Sequence, residues 1–410
     1  MREGTSRTLR LALLADDLTG ACDAGVQFSE RGFSSIVLID KQTPESNEAD
    51  LVICSSNSRN DPPEVAREKV VRSCRLLHKD CRTLIFKKLD STLRGNLGVE
   101  IQTAMKNWDI SLAVLAPAFP AMGRTLEQGW LRGPDGALAV PVHLPTLLHQ
   151  QGATNVVHFN QSLFRGGLQS VMKQLRNASS GKLRIVVIDT LIQAHLSLIA
   201  QAAMGFEPLP LIAGSAGIAA EVARVLATAH NKENPATSHA ARSTLESRPV
   251  VLFMGSDNPV TKAQIEYLLY NRPATCLELR NGSWGIARYA IENQLNLVVV
   301  VDRTGDKRRV TEFASRVCEL AYGGFILSGG DTAHLICKAL EVKGIKLERE
   351  ITPGLPWGRI LGGPAGGLPV ATKAGGFGSR EALAAAVDFL AVCGRLKNEN
   401  RSFETPNYSD

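Results

Sequence analysis

The chain has 410 residues, two to three times a typical domain, so two domains are the starting expectation. Its 44% hydrophobic and 21% charged residues exclude a disordered or collagen-like chain, and no apolar run approaches the roughly 18 residues of a membrane span. A net charge of +6, with no dense Lys/Arg run interleaved with aromatics, suits an anionic small molecule and speaks against nucleic acid as a partner.

In chain order, the first predicted strand is 10–15, and its apolar run stops at Asp16-Asp17. That is too short for a secretory signal, so a cytoplasmic protein without membrane attachment is expected. Further strands are predicted at 35–39, 51–54, 83–87, 112–116 and 184–188, then at 250–254, 297–301, 325–328 and 370–373. Amphipathic helices are predicted between them at 64–77, 97–106, 259–270, 310–321 and 331–341; in the last, Ala333, Ile336, Ala339 and Leu340 share one face. Strands alternating with helices predict an α/β protein built on parallel sheets covered on both faces.

The clearest composition shift is 228–248, polar and without apolar period, which reads as a linker. It divides the chain into domains 1–227 and 249–398, with 399–410 a flexible tail. The eight cysteines show no C-x-x-C, and neither they nor the eight histidines fall at metal-ligand spacing. Reduced thiols and no protein-built metal site are expected.

Chemistry concentrates where predicted strands end, the place where open α/β sheets bind ligands. The first strand runs into Asp16 and Asp17, and Thr19-Gly20 then opens a helix. Two adjacent carboxylates can share general-base and hydroxyl-binding work, or Asp17 can simply cap the helix. After 83–87 come Lys88, Asp90, Ser91, Thr92 and Arg94. Arg94 can grip a carboxylate with two parallel hydrogen bonds, Lys88 adds a point charge, and Asp90 can accept from sugar hydroxyls. The bland alternative is a helix start capped by Asp90 or Ser91, its basic residues solvated.

In the C-terminal half the strand ends carry glycines: Gly255-Ser256, Ser328-Gly329-Gly330-Asp331-Thr332 and Lys373-Ala374-Gly375-Gly376-Phe377-Gly378. Glycine at such a turn lets backbone N–H groups approach phosphate oxygens. Any one of these is as well explained by a tight connection. Three in one domain, with Gly362-Gly363 and Gly366-Gly367 between them, point to a nucleotide. The P-loop and G-x-G-x-x-G fingerprints are absent.

Taken together, Ala15-Asp16-Asp17-Leu18-Thr19-Gly20-Ala21, Lys87-Lys88-Leu89-Asp90-Ser91-Thr92-Leu93-Arg94-Gly95-Asn96, Ala116-Pro117-Ala118-Phe119-Pro120, Gly123-Arg124-Thr125, Ser328 to Thr332, Gly362-Gly363-Pro364 and Thr372 to Gly378 resemble the four-carbon acid sugar kinase family, also called the domain-of-unknown-function 1537 family. The resemblance covers nearly the whole chain. It implies two domains, each a largely parallel sheet flanked by helices, with the active site in the cleft between them. It also implies transfer of the ATP γ-phosphoryl group, with Mg²⁺, to the terminal hydroxyl of threonate, erythronate or 3-oxo-tetronate. By the same resemblance Asp16, Asp17, Lys88, Asp90 and Arg94 surround the acid sugar, with Asp17, or else Asp16, as the base. Ser256, Gly329, Gly330, Asp331, Thr332, Gly375, Gly376 and Gly378 contact the nucleotide. Two features depart from the pattern. Cys22 stands where relatives commonly carry a polar residue, and 128–147 is shorter than the usual segment. A binding protein of this fold that has lost turnover, or a nicotinamide-dependent oxidoreductase, is the alternative; a homo-oligomer is left open.

Overall fold

The computed structural model describes residues 10–39, 43–77, 83–134, 141–179, 183–232, 248–279, 283–302, 305–320 and 322–393. Most of the 228–248 linker and all of the 399–410 tail lie outside them. The chain forms two compact units, residues 1–235 with 343–349, and 236–342 with 350–410. A short segment of the C-terminal half thus belongs to the first unit, which a contiguous division does not provide for.

In the first unit, eight parallel strands follow the order Ser35–Leu38, Leu51–Ser55, Arg10–Ala15, Thr83–Lys88, Leu211–Gly214, Leu112–Ala116, Arg184–Ile188 and Val156–Phe159. Gly344–Glu350 pairs antiparallel with Ser35–Leu38. Five of the six residues of Arg10–Ala15 are buried, as expected of a strand covered by helices on both faces. Leu14, Ile85, Leu115 and Val187 join Ile101, Met105 and Leu148 in one buried cluster. A separate antiparallel ribbon is made of Thr125–Glu127, Trp130–Arg132 and Val142–His143.

In the second unit, Ala274–Glu278, Asn296–Val300, Val250–Met254, Gly324–Ser328 and Pro369–Lys373 run parallel in that order. Pro356–Leu361 pairs antiparallel with the last of them.

Both units share one topological device. From Arg10–Ala15 the chain crosses to Ser35–Leu38 and Leu51–Ser55 on one side, then to Thr83–Lys88 on the other. From Val250–Met254 it crosses to Ala274–Glu278 and Asn296–Val300, then to Gly324–Ser328 on the far side. Where the winding reverses, the connections leave the carboxyl ends of the strands in opposite directions and open a crevice there. The residues singled out above lie at those two points.

The predicted glycine set needs one correction. Gly362-Gly363 and Gly366-Gly367 join Pro356–Leu361 to Pro369–Lys373, where Arg359 pairs with Pro369. That is the amino end of the last strand, away from Lys373. Gly363 is glycine because of a close approach: a Cβ there would meet the Leu340 carbonyl oxygen, and its φ is 68°. At Gly363, at least, glycine is required by the backbone itself.

Candidate active site

At the first switch point, one residue draws the predicted groups together: Arg59, just after strand Leu51–Ser55. The Ser58 and Arg59 N–H groups donate to the Asp16 carbonyl at 3.0 and 3.3 Å, which folds this loop over the end of the first strand. The Arg59 guanidinium then grips Asp16 with two bonds, Nε to Oδ2 and Nη2 to Oδ1, both 2.7 Å. Its Nη1 donates to Asp17 Oδ2 and lies 3.7 Å from Asp90 Oδ1. Burial alone would raise the Asp16 pKa, but the Arg59 charge and hydrogen bonds outweigh it and hold the carboxyl below its ordinary value. Arg59, though desolvated, is held firmly protonated by Asp16, Asp17 and Asp90.

Asp17 has a second task. Its Oδ1 accepts from the Gly20 N–H at 2.7 Å and its Oδ2 from the Thr19 hydroxyl at 3.0 Å, so it caps helix Leu18–Ser29. The cap and the charged pairing coexist in one carboxylate. A Cβ on Gly20 would fall 2.5 Å from Asp17 Oδ1, 3.5 Å from Lys88 Nζ and 3.6 Å from Arg59 Nη2. Glycine there leaves room between an ammonium and a guanidinium.

Residues 90–95 are not a capped helix start. Asp90 accepts from Thr92 Oγ1 and from the backbone N–H, Nε and Nη2 of Arg94, closing a turn in which Leu93 and Gly95 have φ of 61° and 92°. The helix begins only at Leu97, and its N-cap is Asn96, whose side chain instead ties to the Ser58 and Asp61 carbonyls. Gly95 packs on Arg59, so Arg94-Gly95-Asn96 serves to seat the Arg59 loop. The Asp90 carboxyl is held far below its usual range: burial opposes ionisation, but Arg59 and Arg94 prevail.

The lysines are not solvated either. Lys87 is fully buried and pairs with Glu100 at 2.8 Å, while Ser58 donates to the other Glu100 oxygen at 2.7 Å. This network supports the loop from beneath. Lys88 points the other way, donating to the Leu89 carbonyl at 2.9 Å and standing 3.6 Å from Asp23. Burial raises the Asp23 carboxyl despite Lys88.

At the second switch point the three glycine turns lie side by side. The Gly255 N–H donates to the Ser328 carbonyl and the Gly329 N–H to that of Lys373, at 3.0 and 3.3 Å. A Cβ at Gly255 would collide with Thr332 Oγ1, one at Gly375 with Ser256 Oγ, and one at Gly376 would touch Asn258. Gly329, at φ 93°, is the N-cap of helix Gly330–Ala339, with Asp331 exposed in its first turn. Ser256, Thr332, Gly375 and the Gly329-Gly330 turn are therefore brought close together, and Gly378, further along the last turn, has φ 87°.

Comparison with known proteins finds two family models along the chain. A sugar-binding N-terminal domain model matches residues 11–222, and a nucleotide-binding C-terminal domain model matches 306–383. The D-threonate kinases of Salmonella typhimurium and Bordetella bronchiseptica are 28% and 31% identical to this chain, over 93% and 91% of it and 98% and 95% of their own lengths. The chain belongs to the four-carbon acid sugar kinase family. A solved Haemophilus influenzae member of the domain-of-unknown-function 1537 family has the same fold: TM-score 0.69, 22% identity, 92% of this chain and 100% of that one covered. The family is one of phosphotransferases with an alcohol acceptor, which gives the oxidoreductase alternative no support.

Sequence reasoning missed Arg59. Its signal is the same as at the other strand ends: a buried strand followed by an abrupt polar run, Ser56-Asn57-Ser58-Arg59.

Proposed function

We propose that this acid sugar kinase uses MgATP to phosphorylate the terminal hydroxyl of a four-carbon acid sugar, with D-threonate the first candidate. The observation that carries the reading is the first switch point, where Arg59, Lys88 and Arg94 are set among Asp16, Asp17 and Asp90. Cations there match a sugar-acid carboxylate, and carboxylates match its hydroxyls. The two named D-threonate kinases support that choice among threonate, erythronate and 3-oxo-tetronate.

On this reading an incoming carboxylate competes with Asp16 and Asp17 for the Arg59 fork. Lys88 and Arg94 add charge, and Asp90 keeps Arg94 in place. Release of Asp17 Oδ2 from Arg59 leaves an acceptor for the attacking hydroxyl, with Asp16 the second choice as base. Phosphoryl transfer otherwise asks for positioning and charge neutralisation.

The second switch point suits the nucleotide phosphates, because Ser256, Gly329, Gly330, Asp331, Thr332, Gly375, Gly376 and Gly378 gather at strand ends beside the N-terminus of helix Gly330–Ala339, where backbone N–H groups can meet anionic oxygens. Mg²⁺, when bound, would neutralise phosphate charge and be held largely by the phosphates themselves. Among the described residues no group of three His, Cys, Asp or Glu is placed to hold a metal ion.

The test is ADP release with a panel of threonate, erythronate and 3-oxo-tetronate isomers. One acid sugar should stand clear of the ATPase background. Silence across the panel, with ATP still bound, favours a binding protein of the family fold that has lost turnover. A second measurement addresses the nucleotide surface. Gly378→Val places a β-branched residue at φ 87°, where even a Cβ would lie 2.8 Å from that of Ala382. Strain of about 1–3 kcal/mol should weaken ATP binding roughly tenfold or more and leave acid-sugar binding unchanged. Calorimetric titration of a folded variant with unaltered ATP affinity would remove Gly378 from the site.

A further inference from the structure

Beneath the last glycine turn lies a group that the phosphoryl-transfer scheme does not use. Lys373, the final residue of strand Pro369–Lys373, is completely buried. Its Nζ is bonded to Thr261 Oγ1 at 3.1 Å, the Ala374 carbonyl at 3.2 Å and the Gly375 carbonyl at 2.9 Å. Thr261 Oγ1 itself donates to the Gly375 carbonyl at 2.8 Å. One turn along the same helix, Gln264 Nε2 bonds to the carbonyls of Phe377, Gly378 and Ser379 at 3.1, 3.1 and 2.7 Å.

Five carbonyls of one short loop, those of 374, 375, 377, 378 and 379, are therefore drawn onto three buried side chains. In a trans peptide the following N–H points opposite to the carbonyl. The N–H groups of Gly375, Gly376, Gly378, Ser379 and Arg380 are thus turned away from the buried clamp, on a loop whose Gly376, Ser379 and Arg380 are exposed. Successive amides turned outward form an anion-binding concavity.

We propose that Lys373, with Thr261 and Gln264, holds this loop in its phosphate-binding form, and that binding of the nucleotide phosphates is coupled to uptake of one proton by the Lys373 amine. The inference rests on the nucleotide reading above and adds to it two positioning residues and a proton-linked one. Its electrostatic basis is burial. Desolvation pushes the Lys373 amine down to about 7. Among the described residues the groups facing Nζ are neutral: a hydroxyl, two carbonyls and, beside them, the Gln264 amide. On helix Pro259–Asn271 the charged Lys262 and Glu266 are exposed, off the face bearing Thr261 and Gln264. Gly324–Ser328 carries no titratable side chain. On helix Ala382–Cys393, Asp388 is exposed and paired with Arg272. Asp257, Asp331, Arg380 and Glu381, on the turns around the loop, are also exposed. A polyphosphate on the loop would bring a strong anion to an amine that lacks one, and so favour its ammonium form.

Linkage fixes the sign. The complex holds more protons than the free protein, so ATP affinity must fall as pH rises above about 7, by up to about tenfold per pH unit. The experiment is calorimetric titration of the full chain with MgATP at pH 8, in two buffers of different ionisation enthalpy. At that pH the desolvated free amine is largely neutral, and wild type should take up a proton on binding the nucleotide. Lys373→Met should bind MgATP at least tenfold more weakly and take up none, which also removes any contribution from the ligand itself. Wild-type binding without proton uptake would overturn this inference and leave the nucleotide site standing. No ATP binding by wild type would overturn both. If Lys373→Met does not fold, the wild-type proton count and the fall of its affinity between pH 7 and 9 decide alone.

Discussion

Arg59→Met should lower the stability of the first unit by about 3–5 kcal/mol at neutral pH and abolish kinase turnover. The magnitude follows from what remains. Asp16 and Asp17 are each about 5% exposed in their side chains and would lose the cation that both pair with. Asp90 would keep Arg94 alone. Methionine nearly preserves the length of the stem, so the loss is of charge and hydrogen bonds rather than of packing. The pH dependence carries the sign. In wild type the Asp16 pKa lies below its ordinary 3.8, so its contribution is complete above that value and is lost as pH falls through the depressed one. Without Arg59, burial is the dominant influence and raises the carboxyl, so the variant gains relative stability as the solution is acidified. Urea denaturation should show a gap between wild type and Arg59→Met that is widest near pH 7 and narrows toward pH 4.5. Arg59→Lys should recover part of the stability and little of the activity, since an ammonium cannot make the two-bond grip on Asp16. A gap independent of pH would mean that the loop is held by its backbone bonds and not by this ion cluster.

The elements that could be read from the sequence are those with strong local patterns. Arg10–Ala15, Leu112–Ala116, Arg184–Ile188 and Val250–Met254 occur with the predicted bounds, because each is a short apolar run ended by turn or charged residues. Gly344–Glu350, GIKLERE, was not legible: its alternating charge looks like an exposed loop, and only pairing with Ser35–Leu38 makes it a strand. The site shows the same division. Asp16, Asp17, Asp90 and Arg94 could be named from position, but their partners could not. Asp16 and Arg59 are 43 residues apart and meet through parallel pairing of Arg10–Ala15 with Leu51–Ser55. Lys87 closes the predicted strand, and a strand end gives no sign of which way its side chain points. Its burial depends on Glu100 in the following helix.

Asp17→Asn should reduce kcat by about 10²-fold or more, the scale of losing a positioned base, and leave ATP affinity and the fold nearly unchanged. The two roles of this carboxylate make the substitution informative. As an N-cap, Asn is as good as Asp, because a side-chain oxygen can still accept from the Gly20 N–H. Helix Leu18–Ser29 should therefore keep its start, whereas Asp17→Ala should cost about 1 kcal/mol in addition. What Asn cannot do is take a proton from an attacking hydroxyl. Steady-state kinetics with the acid sugar that releases ADP, alongside calorimetry with ATP, separate these effects. A kcat within a few-fold of wild type would move the base to Asp16, whose two oxygens are both held by Arg59 and would become free only on exchange with the substrate carboxylate. If Asp16→Asn and Asp90→Asn were also active, no carboxylate in the cluster would be acting as a base. The cluster would then serve to bind and orient the acid, and the hydroxyl would lose its proton to solvent or to the phosphoryl group itself.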